Sequence, residues 1–157
     1  MLAWAALLVP GCLIGAEPVP YGRPGECVHP PLDPAGDRWI VLGTNTDTIC
    51  PLEDGDTVRI EQGGQGALMV VVGVRFAAPI AACSPSARDV RLTVDCGAAH
   101  STGDQGCPGE GASGAHEFHD VFLPFRAAPP AEMDCSVTVD RAPDVHLETR
   151  RHLRVGL

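Results

Sequence analysis

TVRIEQGGQGALMVVVGV, residues 57–74, decides the fold class. Val58 and Ile60 alternate with Arg59 and Glu61, giving a strand with one apolar and one polar face. Gly63-Gly64-Gln65-Gly66 is turn chemistry and returns the chain into Leu68–Val74. That second run is apolar on both parities, which predicts a central strand covered on both faces. Upstream, Pro51 to Asp56 is another turn-forming stretch.

The same period recurs along the chain. Arg38–Leu42 is a short apolar run closed by Gly43-Thr44-Asn45. Val90, Leu92 and Val94 alternate with Arg91, Thr93 and Asp95. Val121, Leu123 and Phe125 share one parity, Val137 and Val139 another, and Val145–Val155 closes the chain with outward arginines. No connection has the look of an amphipathic crossover helix, so a parallel α/β fold is disfavoured. The prediction is an all-β, antiparallel, immunoglobulin-like β-sandwich of about seven strands. Ala127–Met133 has room for one helical turn. Gly97–His116 is glycine-rich and poor in apolar residues, and reads as a long exposed loop.

The N-terminus speaks to compartment. Residues 1–16, MLAWAALLVPGCLIGA, carry no charge. Leu2–Val9 suits a signal-peptide apolar region and is too short to span a bilayer. Val9-Pro10-Gly11-Cys12 resembles a bacterial lipobox, which makes Cys12 the expected site of lipidation and the mature N-terminus. A cut after Ala16, giving plain secretion, is the competitor. The expected organisation is a signal peptide at 1–11, a lipid-anchored Pro-rich tether at 12–36 and a β domain at 37–157. The tether holds Pro18, Pro20, Pro24, Pro30, Pro31 and Pro34, which favour extended chain. The expected setting is the cell envelope, facing the periplasm or the cell surface.

Composition excludes several chemistries. All eleven basic residues are arginine, so no Schiff-base lysine and no phosphate-loop lysine exists. The net charge of −9 repels phosphate backbones and makes nucleic acid an unsuitable partner. Removing Cys12 from seven cysteines leaves an even set for three disulfides: Cys27, Cys50, Cys83, Cys96, Cys107 and Cys135. Proximity favours Cys96–Cys107, with a buried Cys96–Cys135 bridge as competitor, and then Cys27–Cys50 and Cys83–Cys135. No C-x-x-C is present, so neither a thioredoxin-like pair nor a zinc ribbon is written here.

Residues 51–76 and 135–157 resemble uncharacterised myxobacterial-type envelope lipoproteins. The shared features are Gly43-Thr44, Asp54-Gly55, Gly64-Gln65-Gly66 and Val137-Thr138-Val139-Asp140. The resemblance implies an immunoglobulin-like domain and no known activity. Two departures stand out. Met69 occupies a place where histidine is common in that pattern, and Asp140 does not lead into the usual Asp-Gly turn.

His100, His116 and His119 are the candidate metal ligands, since neutral imidazole suits zinc or copper. Against them, an i, i+3 spacing in extended chain puts His116 and His119 on opposite faces. Asp54 with Asp56, and Asp140 with Asp144, are weaker calcium candidates that also sit where turns favour aspartate. Gly111-Ala112-Ser113-Gly114-Ala115 misses the G-x-S-x-G elbow, and no catalytic residue or cofactor is indicated. The leading reading is a non-catalytic structural or interaction module, anchored to the membrane by lipid and contacting an envelope protein. The rival is a periplasmic zinc- or copper-binding protein.

Overall fold

A computed structural model of the chain describes residues 27, 29, 34–44, 48–80, 90–105 and 115–156. Nine strands run through them: β1 (Trp39–Thr44), β2 (Cys50–Pro51), β3 (Thr57–Gln62), β4 (Leu68–Ala77), β5 (Val90–Asp95), β6 (His100–Gln105), β7 (His116–Pro124), β8 (Glu132–Arg141) and β9 (Val145–Gly156). They form one sheet in the order β2-β1-β4-β3-β9-β8-β5-β6, with β7 also on β4, curled into a half-barrel. No described residue is helical. Residues 126–131 make bends and an extended stretch rather than the expected helical turn, and Met133 already belongs to β8.

β4 is central, as its composition predicts. Three strands pair with it, so two must share an edge. β7 runs along Met69–Phe76, while β1 takes Val72–Ala77 and β3 takes Leu68–Val70. Val70, Val72, Val74 and Phe76 are at most 1% exposed. They join one core with Val90, Leu92, Val94, Val137 and Val139, as the period-two pattern requires. The other face of β4 is only half covered, where a strand covered on both faces was expected. Met69, Val71 and Arg75 are half-buried there. Its cover at mid-strand is Ile49, which is fully buried above the directly paired Gly43 and Gly73. A Cβ on Gly73 would stand 2.7 Å from Ile49 Cγ1, and one on Gly43 2.5 Å from Ile49 Cγ2. Both distances are below van der Waals contact, so the slot requires glycine on both strands.

β3 changes partners along its length. Thr57–Arg59 pairs in parallel with Arg154–Gly156 of β9, and Ile60–Gln62 pairs antiparallel with β4. A strand that crosses between two groups of neighbours in this way forms a corner of a curled sheet.

Two strands were not legible as strands. β2 is two residues long and pairs with Gly43 and Thr44. β6 lies inside the stretch expected to be loop, and pairs with β5 from Val90↔Gln105 to Asp95↔His100. It has no apolar alternation because it is a polar sheet edge. Side chains across the pair compensate: Thr93 and Thr102 hydroxyls lie 3.1 Å apart, and Arg91 Nε donates to Asp104 at 2.8 Å. The turn into β6 is tight. Asp95 accepts the Gly97 N–H at 2.8 Å, and Gly97 takes a positive φ of 71°.

The disulfides match one expected pair and the named competitor to another, and overturn two expected pairs. Cys27 bonds Cys50, as expected. Cys96 bonds Cys135, which overturns both Cys96–Cys107 and Cys83–Cys135. Register explains the outcome. Asp95 pairs with Ser136, so the next residues, Cys96 and Cys135, meet across β5 and β8 with both side chains in the core. The 96–99 turn is already closed by a Cys96 N–H bond to the Ala99 carbonyl at 2.9 Å. Cys12, Cys83 and Cys107 lie outside the described residues, as do residues 1–11, expected to be a signal peptide, and most of 12–36, expected to be a tether.

Two results check this arrangement. Val72→Asp places an unpaired charge in the core and is expected to cost on the order of 3–5 kcal/mol. Arg91→Ser removes only an exposed ion pair and is expected to leave the melting midpoint nearly unchanged. Equal shifts in the melting midpoint would overturn the assigned parity. Non-reducing peptide mapping is expected to recover Cys27–Cys50 and Cys96–Cys135 peptides, and a Cys96–Cys107 peptide would contradict the β5–β8 register.

Candidate functional site

The three candidate metal ligands are placed differently from one another. His116 opens β7 and is buried, its ring centroid 5.2 Å from that of Phe76. His119 is exposed and lies 3.2 Å from the Glu117 carboxylate. The two therefore occupy opposite faces, as their spacing predicts. His100 opens β6 opposite Asp95. Among the described residues no three His, Cys, Asp or Glu side chains are grouped so as to hold a metal ion. Glu117 instead faces Arg75 at 3.2 Å, and the Arg75 guanidinium sits 5.7 Å from the Trp39 ring centroid.

The aspartates considered for calcium serve turns and pairs. Asp54 accepts the main-chain N–H of His152 at 2.9 Å, and Asp56 accepts that of Glu53 at 2.7 Å. Asp140 pairs with His146, and the Asp144 carbonyl accepts a bond from Arg38.

The recess that stands out is the seam between β6 and β7. The two strands meet at the Ala99↔Phe125 bridge, where Arg126 N–H also reaches the Ala98 carbonyl at 3.3 Å. Beyond it lies a cavity of about 260 Å³. Core side chains of Leu92, Phe118 and Val121 line it, together with Ser101 and Gly103 of β6 and the backbone bend at Asp120. The bend has a local cause. Val72 pairs with Val121 and Val74 with Phe118, so His119 and Asp120 together oppose Gly73. Asp120 absorbs the extra residue with φ 54°. This β-bulge lets Phe118 and Val121 both face inward although they are three apart. It also sets Phe122 outward, 52% exposed beside the recess. Sequence reasoning missed these residues. The available signal was the phase slip between His116/Phe118 and Val121/Leu123, which a regular strand does not permit.

The outer face of β6-β5-β8-β9 is a lattice of opposite charges. His146 lies against Asp140, and His152 lies 2.8 Å from Asp134. Their hydrogen bonds with these carboxylates hold both imidazoles above their ordinary value. Arg91 and Asp104 each favour the other's charged form, the guanidinium shifted upward and the carboxyl downward, chiefly through their hydrogen bond. A second, shallower recess of about 540 Å³ lies on this face above Cys135, bordered by Asp95, Asp134, Arg150 and Arg151.

The chain matches no protein-family model, no curated protein and no solved structure.

The histidine pairs predict the pH dependence of stability. A group whose value is raised on folding stabilises fully below its unfolded value, about 6.5 for histidine, and loses that contribution as pH rises through the folded value. The melting midpoint is expected to fall between about pH 6 and about pH 8. His146→Ala with His152→Ala should flatten that slope in a thermal-melt series. An unchanged slope would remove these pairs as its cause.

Proposed function

We propose that the chain is an envelope lipoprotein whose β domain is a non-catalytic interaction module, displayed from an acylated Cys12 and engaging its partner at the β6–β7 seam. The observation that carries this reading is the seam itself. It combines core side chains reachable from outside with an adjacent exposed aromatic, Phe122, and lies between two strands. Recesses of this type accept an apolar anchor from a protein partner, while the flanking strand edges supply polar backbone groups.

The tether fits this display. The chain arriving from Cys12 reaches Cys27, which is covalently held to Cys50 on β2. From Cys12 to Cys27, extended chain spans at most about 50 Å, enough for the domain to stand off a lipid surface. No helix of the described residues is long and apolar enough to cross a membrane. The finer assignment of an immunoglobulin-like sandwich belongs to the same proposal. It draws support from β3, parallel to β9 and antiparallel to β4, and from the β5–β8 disulfide in the core.

Cell fractionation tests the display and photocrosslinking tests the seam. Cys12→Ser is expected to move the protein out of the membrane fraction, whereas a mature chain beginning at Glu17 would refute lipidation. A photoreactive phenylalanine analogue at Phe122 is expected to crosslink an envelope protein, and the same analogue at Arg91 is not. Equal labelling from both positions would refute the seam as the contact.

A further inference from the structure

β6 is the end strand of the sheet, and its second edge looks into the seam. Two hydrogen bonds at its start fix which main-chain groups lie on that edge. The Ala99 carbonyl turns towards β5 and accepts from Cys96 N–H at 2.9 Å, whereas the Ala98 carbonyl turns towards β7 and accepts from Arg126 N–H at 3.3 Å. Main-chain groups alternate sides along a strand. Those of Ser101, Gly103 and Gln105 therefore point to β5, and those of Thr102 and Asp104 point across the seam.

Among the described residues β6 and β7 pair only at the Ala99↔Phe125 bridge. Counted on from that bridge, an antiparallel ladder would set the His119–Asp120 bulge of β7 against Asp104 and Gln105. The bulge interrupts such a ladder, and the recess opens in its place.

The recess is short of a side chain from β6. Opposite Val94 and Leu92, the inward positions of β6 are Ser101 and Gly103. They leave about 260 Å³ over Leu92, Phe118 and Val121, room for a large apolar side chain. The outward positions form rows across the strands. In one row Asp104 pairs with Arg91, Arg91 with Asp140 and Asp140 with His146. A basic residue on the open side of Asp104 continues this alternation of charge. The next row is Thr102, Thr93 and Thr138. β7 forms the other wall, so the opening suits one extended segment rather than the edge of a second folded sheet.

We propose that the seam binds an extended segment of a partner protein as an added strand on β6, with a large apolar side chain beside Gly103 and a basic one beside Asp104, which rests on the seam being the contact surface and specifies what fills it. Main-chain bonds to Thr102 and Asp104 hold the segment, and its alternate side chains decide which segment is taken. The apolar side chain completes the core above Leu92, and like charge at Asp104 turns acidic segments away.

Backbone amide exchange on the full chain tests this, with the capped peptide Leu-Lys-Leu-Thr-Leu as probe. Run antiparallel to β6, it sets lysine beside Asp104, the central leucine beside Gly103 and threonine beside Thr102. At saturating probe, exchange at the Thr102 and Asp104 amides is expected to slow about tenfold, while the Ser101 and Gly103 amides, already bonded to β5, stay unchanged. Slowing at all four, or at none, overturns the added strand. Slow exchange at Thr102 and Asp104 before probe is added means that the chain itself, or at high concentration a second copy, fills the edge, and also overturns it. Glutamate in place of the peptide lysine should weaken binding about fivefold, and Asp104→Arg should reverse that preference. No reversal overturns the register. Gly103→Leu fills the recess from within, since a Cβ there meets only the end of the flexible Gln105 side chain at 3.3 Å, and should abolish the slowing. Should that variant fail to fold, asparagine in place of the central peptide leucine must abolish it instead. Crosslinking from Phe122 without slowed amides would leave the seam as a contact and remove the added strand.

Discussion

The change of neighbours along β3 is the constraint from which the rest of the domain follows. Its first half belongs to β9 and its second half to β4. Without that crossing, β9-β8-β5-β6 and β2-β1-β4-β7 would share no strand. With it, the sheet curls and the inward residues of β4, β5 and β8 share one core. Curling also brings the far ends, β6 and β7, back towards each other, where they join at a single bridge and leave a seam. The candidate interaction site is thus a product of how the sheet closes, not of a loop added to it.

Much of this was legible in the sequence, for a physical reason. Where one strand face meets the core and the other meets water, the side chains must alternate, and β3, β5, β8 and β9 do. β4 was legible from its lack of polar residues. β6 was not, because an edge strand with both faces polar has no alternation to show. The bulge at Asp120 was hidden because periodicity was read in separate pieces, His116–His119 as a ligand motif and Val121–Phe125 as a strand. The disulfides show a similar limit. Closeness along the chain favoured Cys96 with Cys107, yet cross-strand register placed Cys96 against Cys135. Register is a property of the assembled sheet, and a single cysteine spacing does not contain it.

The histidines divide in an instructive way. His116, in the most conspicuous motif, is packed against Phe76. His29 and His152 sit far apart in sequence, in stretches that carry no motif, yet the ring of the first and the backbone of the second both reach the 53–56 turn where β9 docks on β3. The residue types were visible from the start, but their meeting place depends on a parallel pairing that sequence period does not predict. Turn aspartates that looked like possible cation ligands are used to organise that docking.

The bond between Cys27 and Cys50 has a mechanical meaning. The two cysteines are 23 residues apart, and β1 lies in the closed loop between them. A pull on the chain ahead of Cys27 passes through sulfur into β2, so β1 lies outside the covalent path of the load. Peeling a strand from its neighbour one residue at a time is the easiest way to open a sheet by force. The cross-link moves the point of attachment past β1, next to the slot formed by Gly43, Gly73 and Ile49.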